Sequence, residues 1–268
     1  MVHKKVPPGF NALVSARVHA AVEIVRRSVV PVYRVDAMGE PEHEGSGVLL
    51  RYRDRFFFAS AAHVFEGLPE GVHLLIDGMS QHAVRGIPRV SIKPIGKPRT
   101  EDLVDLGFVK LTNSEAEGLG KANFLAVAAS DGFVRHWSQR LVVVGLPGKL
   151  QWKDRAAATY HVQHRFYQAP EISEGRYSAA GLERGRHAAL IFDHRRIQGP
   201  RGRGGRPNMA GMSGGGIWLL NPYDEYSQES PPPLVGLLAG TAPRNRKALF
   251  GSSVTTLCTL LEETLDSE

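Results

Sequence analysis

The sequence predicts an all-β fold, a barrel or a sandwich, with one helix before it and another after it. Three observations carry this reading. Apolar runs of β type recur at short intervals, at residues 29–35, 47–52, 55–60, 72–76, 90–95, 106–111, 141–146, 188–192, 214–220 and 234–239. Turn residues punctuate them, in keeping with 29 glycines and 17 prolines in 268 residues. No long helical pattern separates the runs, and regularly spaced short strands without intervening helices build barrels or sandwiches.

The flanks read differently. Over residues 10–28, Val14, Val18, Ala21, Val22 and Val25 recur at helical spacing, with Arg17, Glu23, Arg26 and Arg27 elsewhere on the turn. Over residues 253–265, Leu257, Leu260, Leu261 and Leu265 share a face opposite Glu262 and Glu263, and Ser253 or Thr255 is available as a cap. Residues 1–28 are therefore expected as a helical extension and 29–268 as the main domain. Residues 199–207 and 221–233 read as surface loops, the second ending in three prolines.

Composition narrows the function classes. A chain of this length that is 42% hydrophobic can bury a substantial core. Its longest apolar runs, at 56–62 and 141–146, fall well short of the ~20 residues a spanning helix needs, so no membrane partner is expected. The single cysteine, Cys258, excludes an internal disulfide and points to a reducing compartment, the cytoplasm. The stretch after His3, Lys4 and Lys5 is broken by Asn11, Ser15 and Arg17, a poor secretory signal. The net charge is +6, and part of the excess lies in Arg195, Arg196, Arg201, Arg203 and Arg206. That stretch is Gly-rich, with no interleaved aromatic residues to stack on bases and no zinc spacing. It reads as a solvated loop, and a nucleic-acid partner is not expected. No metal or other cofactor is implied.

Three local patterns carry chemistry, each weak alone. The run Phe58-Ala59-Ser60-Ala61-Ala62-His63-Val64 ends a strand in small residues and a histidine. Asp105 stands at the mouth of the apolar run Leu106-Gly107-Phe108-Val109-Lys110-Leu111. Gly211-Met212-Ser213-Gly214-Gly215 puts a serine between glycines, where the backbone can turn sharply and its N–H groups can meet a carbonyl oxygen. Together they supply a complete chemistry. A serine hydroxyl needs a base, histidine titrates near operating pH, a buried carboxylate orients the imidazole, and N–H donors meet the developing oxyanion.

In that order, His63, Asp105 and Ser213 with their flanking residues resemble the chymotrypsin/trypsin-like serine peptidases. Gly45-Ser46-Gly47-Val48-Leu49-Leu50 is similar to the Gly-rich strand before that family's histidine, and Leu234-Val235-Gly236-Leu237-Leu238-Ala239 to the strand lining its substrate cleft. The resemblance covers roughly residues 29–265. It implies two six-stranded antiparallel β-barrels with a boundary near residue 135 and the site between them. It makes the chain a serine endopeptidase acting on protein or peptide substrates. His63 is then the general base, Asp105 its orienting partner and Ser213 the nucleophile, with the N–H groups of Gly211 and Ser213 as oxyanion donors. Asp102 rivals Asp105, but only Asp105 begins the Asp-apolar-small-apolar-apolar pattern.

The chain also departs from the family. Met212 stands where activated zymogens carry the aspartate that anchors a new N-terminus, so activation by that route is not expected. The implied specificity pocket runs from Pro207 through Asn208 and Met209 to Ala210, with Ala239, Gly240 and Thr241 on the far wall. It holds no acid, and a neutral P1 residue is expected. An unanchored turn beside the Gly/Arg-rich loop suggests a resting turn with the Gly211 N–H rotated away, released by a regulatory protein partner or by the loop itself. The alternative is a catalytically inactive domain of this type serving as a protein- or nucleic-acid-binding module.

Overall fold

The computed structural model describes residues 9–267 except 36, 39, 69–70, 77–79, 97–98, 100–101, 129–135, 137, 149–151, 155–158, 162, 193–208 and 243. The expected N-terminal helix is α1, Phe10–Val25, followed by one tighter turn at Arg26–Ser28. It buries Phe10, Val14, Val18, Ala21, Val22 and Val25, the stripe that the spacing predicts.

Two curled antiparallel sheets follow. The first contains β1 (Val29–Val35), β2 (Pro41–Tyr52), β3 (Arg55–Ser60), β4 (Val72–Ile76), β5 (Ser80–Val84), β6 (Arg89–Val90), β7 (Gly107–Leu111) and β8 (Leu125–Ala126). Its order is β5-β4-β1-β2-β3-β7-β6, with β8 added parallel to β2. Strands β6 and β8 are two residues each, which leaves six principal strands. Two short helices, α2 (Ala62–Glu66) and α3 (Asn113–Gly118), lie between its strands.

The second sheet contains β9 (Arg140–Gly145), β12 (Arg165–Ala169), β13 (His187–Ile191), β14 (Gly216–Leu220), β15 (Leu234–Ala242) and β16 (Asn245–Ser253), in the order β12-β9-β14-β15-β16-β13. A separate hairpin joins β10 (Trp152–Asp154) to β11 (Thr159–His161), and α4 (Glu174–Ala180) precedes β13. The C-terminal helix α5 is Val254–Leu265, and its cap is Ser253, whose hydroxyl accepts the Thr256 N–H at 3.2 Å.

Packing explains why the strands read as continuous apolar runs. Residues on a strand alternate between faces, and here both faces are covered. Leu49 and Phe58 point into the first barrel with Val32, Leu74 and Val109. Their neighbours Val48, Leu50, Phe57 and Ala59 join a second cluster that also holds Val142, Val144 and Trp218 of the second sheet. That cluster takes in the buried faces of both α1 and α5. The second barrel has its own core of Leu141, Val143, Leu190, Ile217, Val235 and Leu249.

Three expectations are corrected. The run at 90–95 is not a strand beyond Val90: Ile92 and Ile95 are 95% and 100% exposed, and Pro94 has no N–H to give to a ladder. The nine-residue β16 was not expected. Its buried Ala248, Leu249 and Phe250 are flanked by Asn245 and Lys247 and by Gly251, Ser252 and Ser253, so no long apolar run marks it. Short helices also interrupt the strand succession, which the β pattern alone did not predict. Among the described residues, no helix is long and apolar enough to cross a membrane.

Candidate active site

Strand register brings the candidate residues together. Ser60 on β3 pairs with Gly107 on β7, and Ala59 pairs with Val48 on β2. The residues just after β3, just before β7 and just before Val48 therefore stand at one end of the sheet. His63 lies three residues past Ser60 in the first turn of α2, Asp105 two before Gly107, and Ser46 two before Val48. Ala61 and Ala62, both fully buried, leave room for α2 to pack directly against the barrel end.

Asp105 grips His63 at two points. Its Oδ1 accepts the His63 backbone N–H at 2.9 Å, and its Oδ2 is in close contact with His63 Nδ1. The Asp105 side chain is 6% exposed, while that of His63 is 36% exposed. An acceptor on Nδ1 holds the proton there and leaves Nε2 as the basic nitrogen.

The rival acid, Asp102, faces elsewhere. Its Oδ2 accepts Arg99 Nη1 at 2.7 Å and the Ser91 hydroxyl at 3.0 Å, and its Oδ1 accepts the Val104 N–H. Arg99 also reaches Glu66 on α2, at 2.7 Å from Nη2 and 3.0 Å from Nε. Arg99 thus ties the helix carrying His63 to the loop carrying Asp105. These hydrogen bonds hold Glu66 below the usual carboxylate range, with the Arg99 guanidinium as the main cause.

The Ser213 turn crosses from the second barrel onto this same end. The Ser46 N–H donates to the Ser213 carbonyl at 2.8 Å. Gly214 N–H donates to the Leu238 carbonyl, and Leu238 N–H to the Gly215 carbonyl, each at 2.7 Å. Met212 is 2% exposed and packs in the second barrel core, so the turn is anchored by an apolar side chain where a carboxylate was not available. Gly211 has φ +89°, and a Cβ there would lie 2.4 Å from the His43 ring. Only glycine meets both conditions.

The donors of this turn are open. The Ala210 carbonyl accepts Gly148 N–H at 3.1 Å, which orients the Ala210–Gly211 peptide with its N–H on the opposite side. Among the described residues no acceptor takes the N–H of Gly211 or of Ser213. The Ser213 hydroxyl donates to the Ala239 carbonyl at 3.4 Å, and no hydrogen bond joins it to His63.

Of the expected substrate-contacting residues, Ala210 is exposed on the turn, and Ala239, Gly240 and Thr241 follow one another along β15. Strand β14 pairs with β15 only up to Leu237, so the edge at Ala239–Thr241 has no strand partner on that side among the described residues. Pro207, Asn208 and the arginines of residues 195–206 lie outside the described residues.

Two features were not read from the sequence. His43, beside Gly211 and Gly148, is half-buried with its Nε2 fully enclosed, and desolvation pushes its pKa down to about 4, so it is neutral at pH 7. Ser46 is fully buried with every polar group engaged by the turn or its neighbours. A serine between two glycines was the available signal. Among the described residues no group of His, Cys, Asp and Glu is arranged to hold a metal ion.

No protein-family model matches this chain, and no curated protein matches it in sequence. Solved structures do resemble it. A serine endoprotease from Yersinia pestis is 15% identical with a TM-score of 0.50, the match covering 97% of this chain and 67% of that one. The structure of GrC is 11% identical with a TM-score of 0.53, covering 91% of this chain and 96% of the other. With its two curled antiparallel sheets and its flanking helices, the chain has the chymotrypsin-like double-barrel fold.

Proposed function

We propose that the chain is a serine endopeptidase with Ser213 as nucleophile, His63 as general base and Asp105 as the residue that orients it. The observation that carries this reading is the two-point grip of a buried Asp105 on His63, at the barrel end onto which the Ser213 turn also folds. A serine, an oriented imidazole and two unoccupied N–H donors are the parts that acyl transfer requires.

Ser213 Oγ attacks the scissile carbonyl carbon while its proton passes to His63 Nε2. The carbonyl oxygen becomes an oxyanion and accepts the N–H groups of Gly211 and Ser213. Collapse breaks the C–N bond, and the leaving amine takes the proton from Nε2. Water then repeats the sequence on the acyl-enzyme and restores Ser213. The hydroxyl must first turn from the Ala239 carbonyl towards Nε2. That swing also frees the Ala239 carbonyl, on the unpaired edge of β15, to accept an N–H from an extended substrate strand.

The residues that the resemblance assigns to the specificity pocket, Pro207, Ala210, Ala239, Gly240 and Thr241, include no acid, which supports a neutral P1 residue. The lone Cys258 supports work in a reducing compartment such as the cytoplasm. Control by a regulatory protein partner acting through residues 199–206 is part of the proposal. In this proposal such control shifts the Gly211 turn from an inactive arrangement, with its N–H rotated away, to the active one. The test is a fluorophosphonate probe on the purified chain. Wild type is expected to label and Ser213→Ala to remain unlabelled at an unchanged melting temperature. An unlabelled wild type, or a labelled Ser213→Ala, refutes the assignment.

A further inference from the structure

Ser46 makes no hydrogen bond to His63 or Asp105, yet it holds both residues whose N–H groups line the proposed oxyanion site. Its backbone N–H donates to the Ser213 carbonyl at 2.8 Å. Its hydroxyl donates to the Gly211 carbonyl at 2.7 Å and accepts the Leu146 N–H at 2.9 Å. Its own carbonyl accepts the Ser60 hydroxyl at 2.6 Å. The side chain is fully buried, so water offers no substitute partner.

These four bonds link three parts of the molecule. Ser46 belongs to β2 of the first barrel, Leu146 follows β9 of the second, and Gly211–Ser213 is the turn between β13 and β14. A carbonyl fixed at Gly211 fixes the plane of the Gly211–Met212 peptide. The Ala210 carbonyl, held by Gly148, fixes the plane before it. The Ser213 carbonyl, held by the Ser46 N–H, fixes the far side. Both oxyanion donors are thereby bracketed between anchored peptides. The Met212 side chain contributes only packing, so directional control of the turn comes from hydrogen bonds, and the Ser46 hydroxyl supplies the one aimed at Gly211 itself.

We infer that Ser46 is a positioning residue that sets the oxyanion donors through its hydroxyl, in place of an ionic anchor at Met212. This rests on Ser213 being the nucleophile. Loss of the hydroxyl leaves the Gly211 carbonyl and the Leu146 N–H without their partner. The Gly211–Met212 peptide then keeps only its Met212 N–H bond to the Met209 carbonyl, so Gly211, whose own N–H is the donor, loses an anchor on its C-terminal side. Misplacement by about 1 Å costs on the order of 10²-fold in rate, and loss of one oxyanion donor about 10²–10³-fold.

The test compares fluorophosphonate inactivation of wild type, Ser46→Ala, Ser46→Thr and Ser253→Ala, resolving the maximal rate of inactivation from the half-saturating probe concentration. Ser253 is likewise a buried serine with a hydrogen-bonded hydroxyl, but it caps α5, so it measures the effect of stability alone. Ser46→Ala is expected to lower the maximal rate about 10–100-fold with the half-saturating concentration within about threefold. Ser46→Thr, which keeps a hydroxyl, is expected to recover most of the rate, and Ser253→Ala to lose melting temperature without losing rate. A Ser46→Ala rate within twofold of wild type overturns the inference, as does a Ser253→Ala rate that falls as far. Should Ser46→Ala fail to fold, Ser46→Cys, a weak donor at the same place, decides on the same criterion. Wild type that never labels removes the protease reading itself, an outcome distinct from all of these.

Discussion

Gly214→Ala tests the junction between the Ser213 turn and the first barrel. Gly214 has φ +82°, and a Cβ there would stand 2.0 Å from Ser60 Oγ, 2.1 Å from the Ser46 carbonyl oxygen and 3.0 Å from the Ala61 nitrogen. The Ser60 hydroxyl is bonded to the same Ser46 carbonyl, so neither oxygen retreats without breaking that bond. The turn is equally tethered, by Gly214 N–H on Leu238 and by the Ser213 carbonyl on Ser46. The left-handed backbone costs a non-glycine residue about 1–2 kcal/mol, and overpacking typically adds about 1–3 kcal/mol. The sum is about 2–5 kcal/mol. At about 2–4 °C per kcal/mol for a domain of this size, the melting temperature is expected to fall by roughly 4–20 °C. Circular dichroism melts measure this, with Gly175→Ala as control. Gly175 lies in α4 with nothing within 4 Å of a new Cβ, so alanine there is expected to be neutral or stabilising. Adding Ser60→Ala to Gly214→Ala relieves only one of the two oxygen contacts and is expected to leave most of the loss. A Gly214→Ala melting temperature within about 2 °C of wild type refutes the reasoning.

Acid stability follows from His43. Its folded pKa of about 4 lies below the ordinary 6.5, so between those values the unfolded chain binds a proton that the folded one excludes. Stability is therefore expected to be flat above about pH 6.5 and to fall as the pH drops towards 4, by at most ~3 kcal/mol from this residue, with half-buried His164 and buried His187 acting in the same direction. His43→Gln is expected to flatten the pH dependence in urea titrations, and a variant with an unaltered profile contradicts the assignment. Arg99→Ala is expected to cost ~3 kcal/mol, because it leaves Asp102, 4% exposed, with only the Ser91 hydroxyl and the Val104 N–H. Thermal melts check this, and a loss below about 1 kcal/mol counts against the clamp.

The candidate site was legible where chemistry restricts residue type. His63, Asp105 and Ser213 could be singled out because each sits at the end or the start of an apolar run, in a local pattern that has few substitutes. Asp102 and Asp105 could be told apart by the residues that follow each one, and their hydrogen bonds separate them in the same way. Ser46 could not be read. The Gly-Ser-Gly run marks a special backbone but not what the serine does, because its importance arises from segments about 100 and 165 residues away meeting it. His43 was equally silent, since its environment is made by Gly211 and Gly148. In the fold, α1 and α5 were visible from their apolar stripes. Strand β16 was hidden by its polar and glycine-rich flanks, and the exposed Ile92 and Ile95 imitated a strand where no core receives them.

The cluster joining α1 and α5 to both sheets has a consequence for the order in which the protein can be made. Phe10, Val14 and Val18 share a core with Val48, Leu50, Trp218, Leu257 and Leu261. On a ribosome the first barrel's strands emerge early, but part of the apolar surface they must cover belongs to residues synthesised more than 200 positions later. Until α5 has left the exit tunnel, α1 has an incomplete seat and the space between the barrels lacks a wall. Docking of α5 therefore completes the cluster in which the two sheets meet.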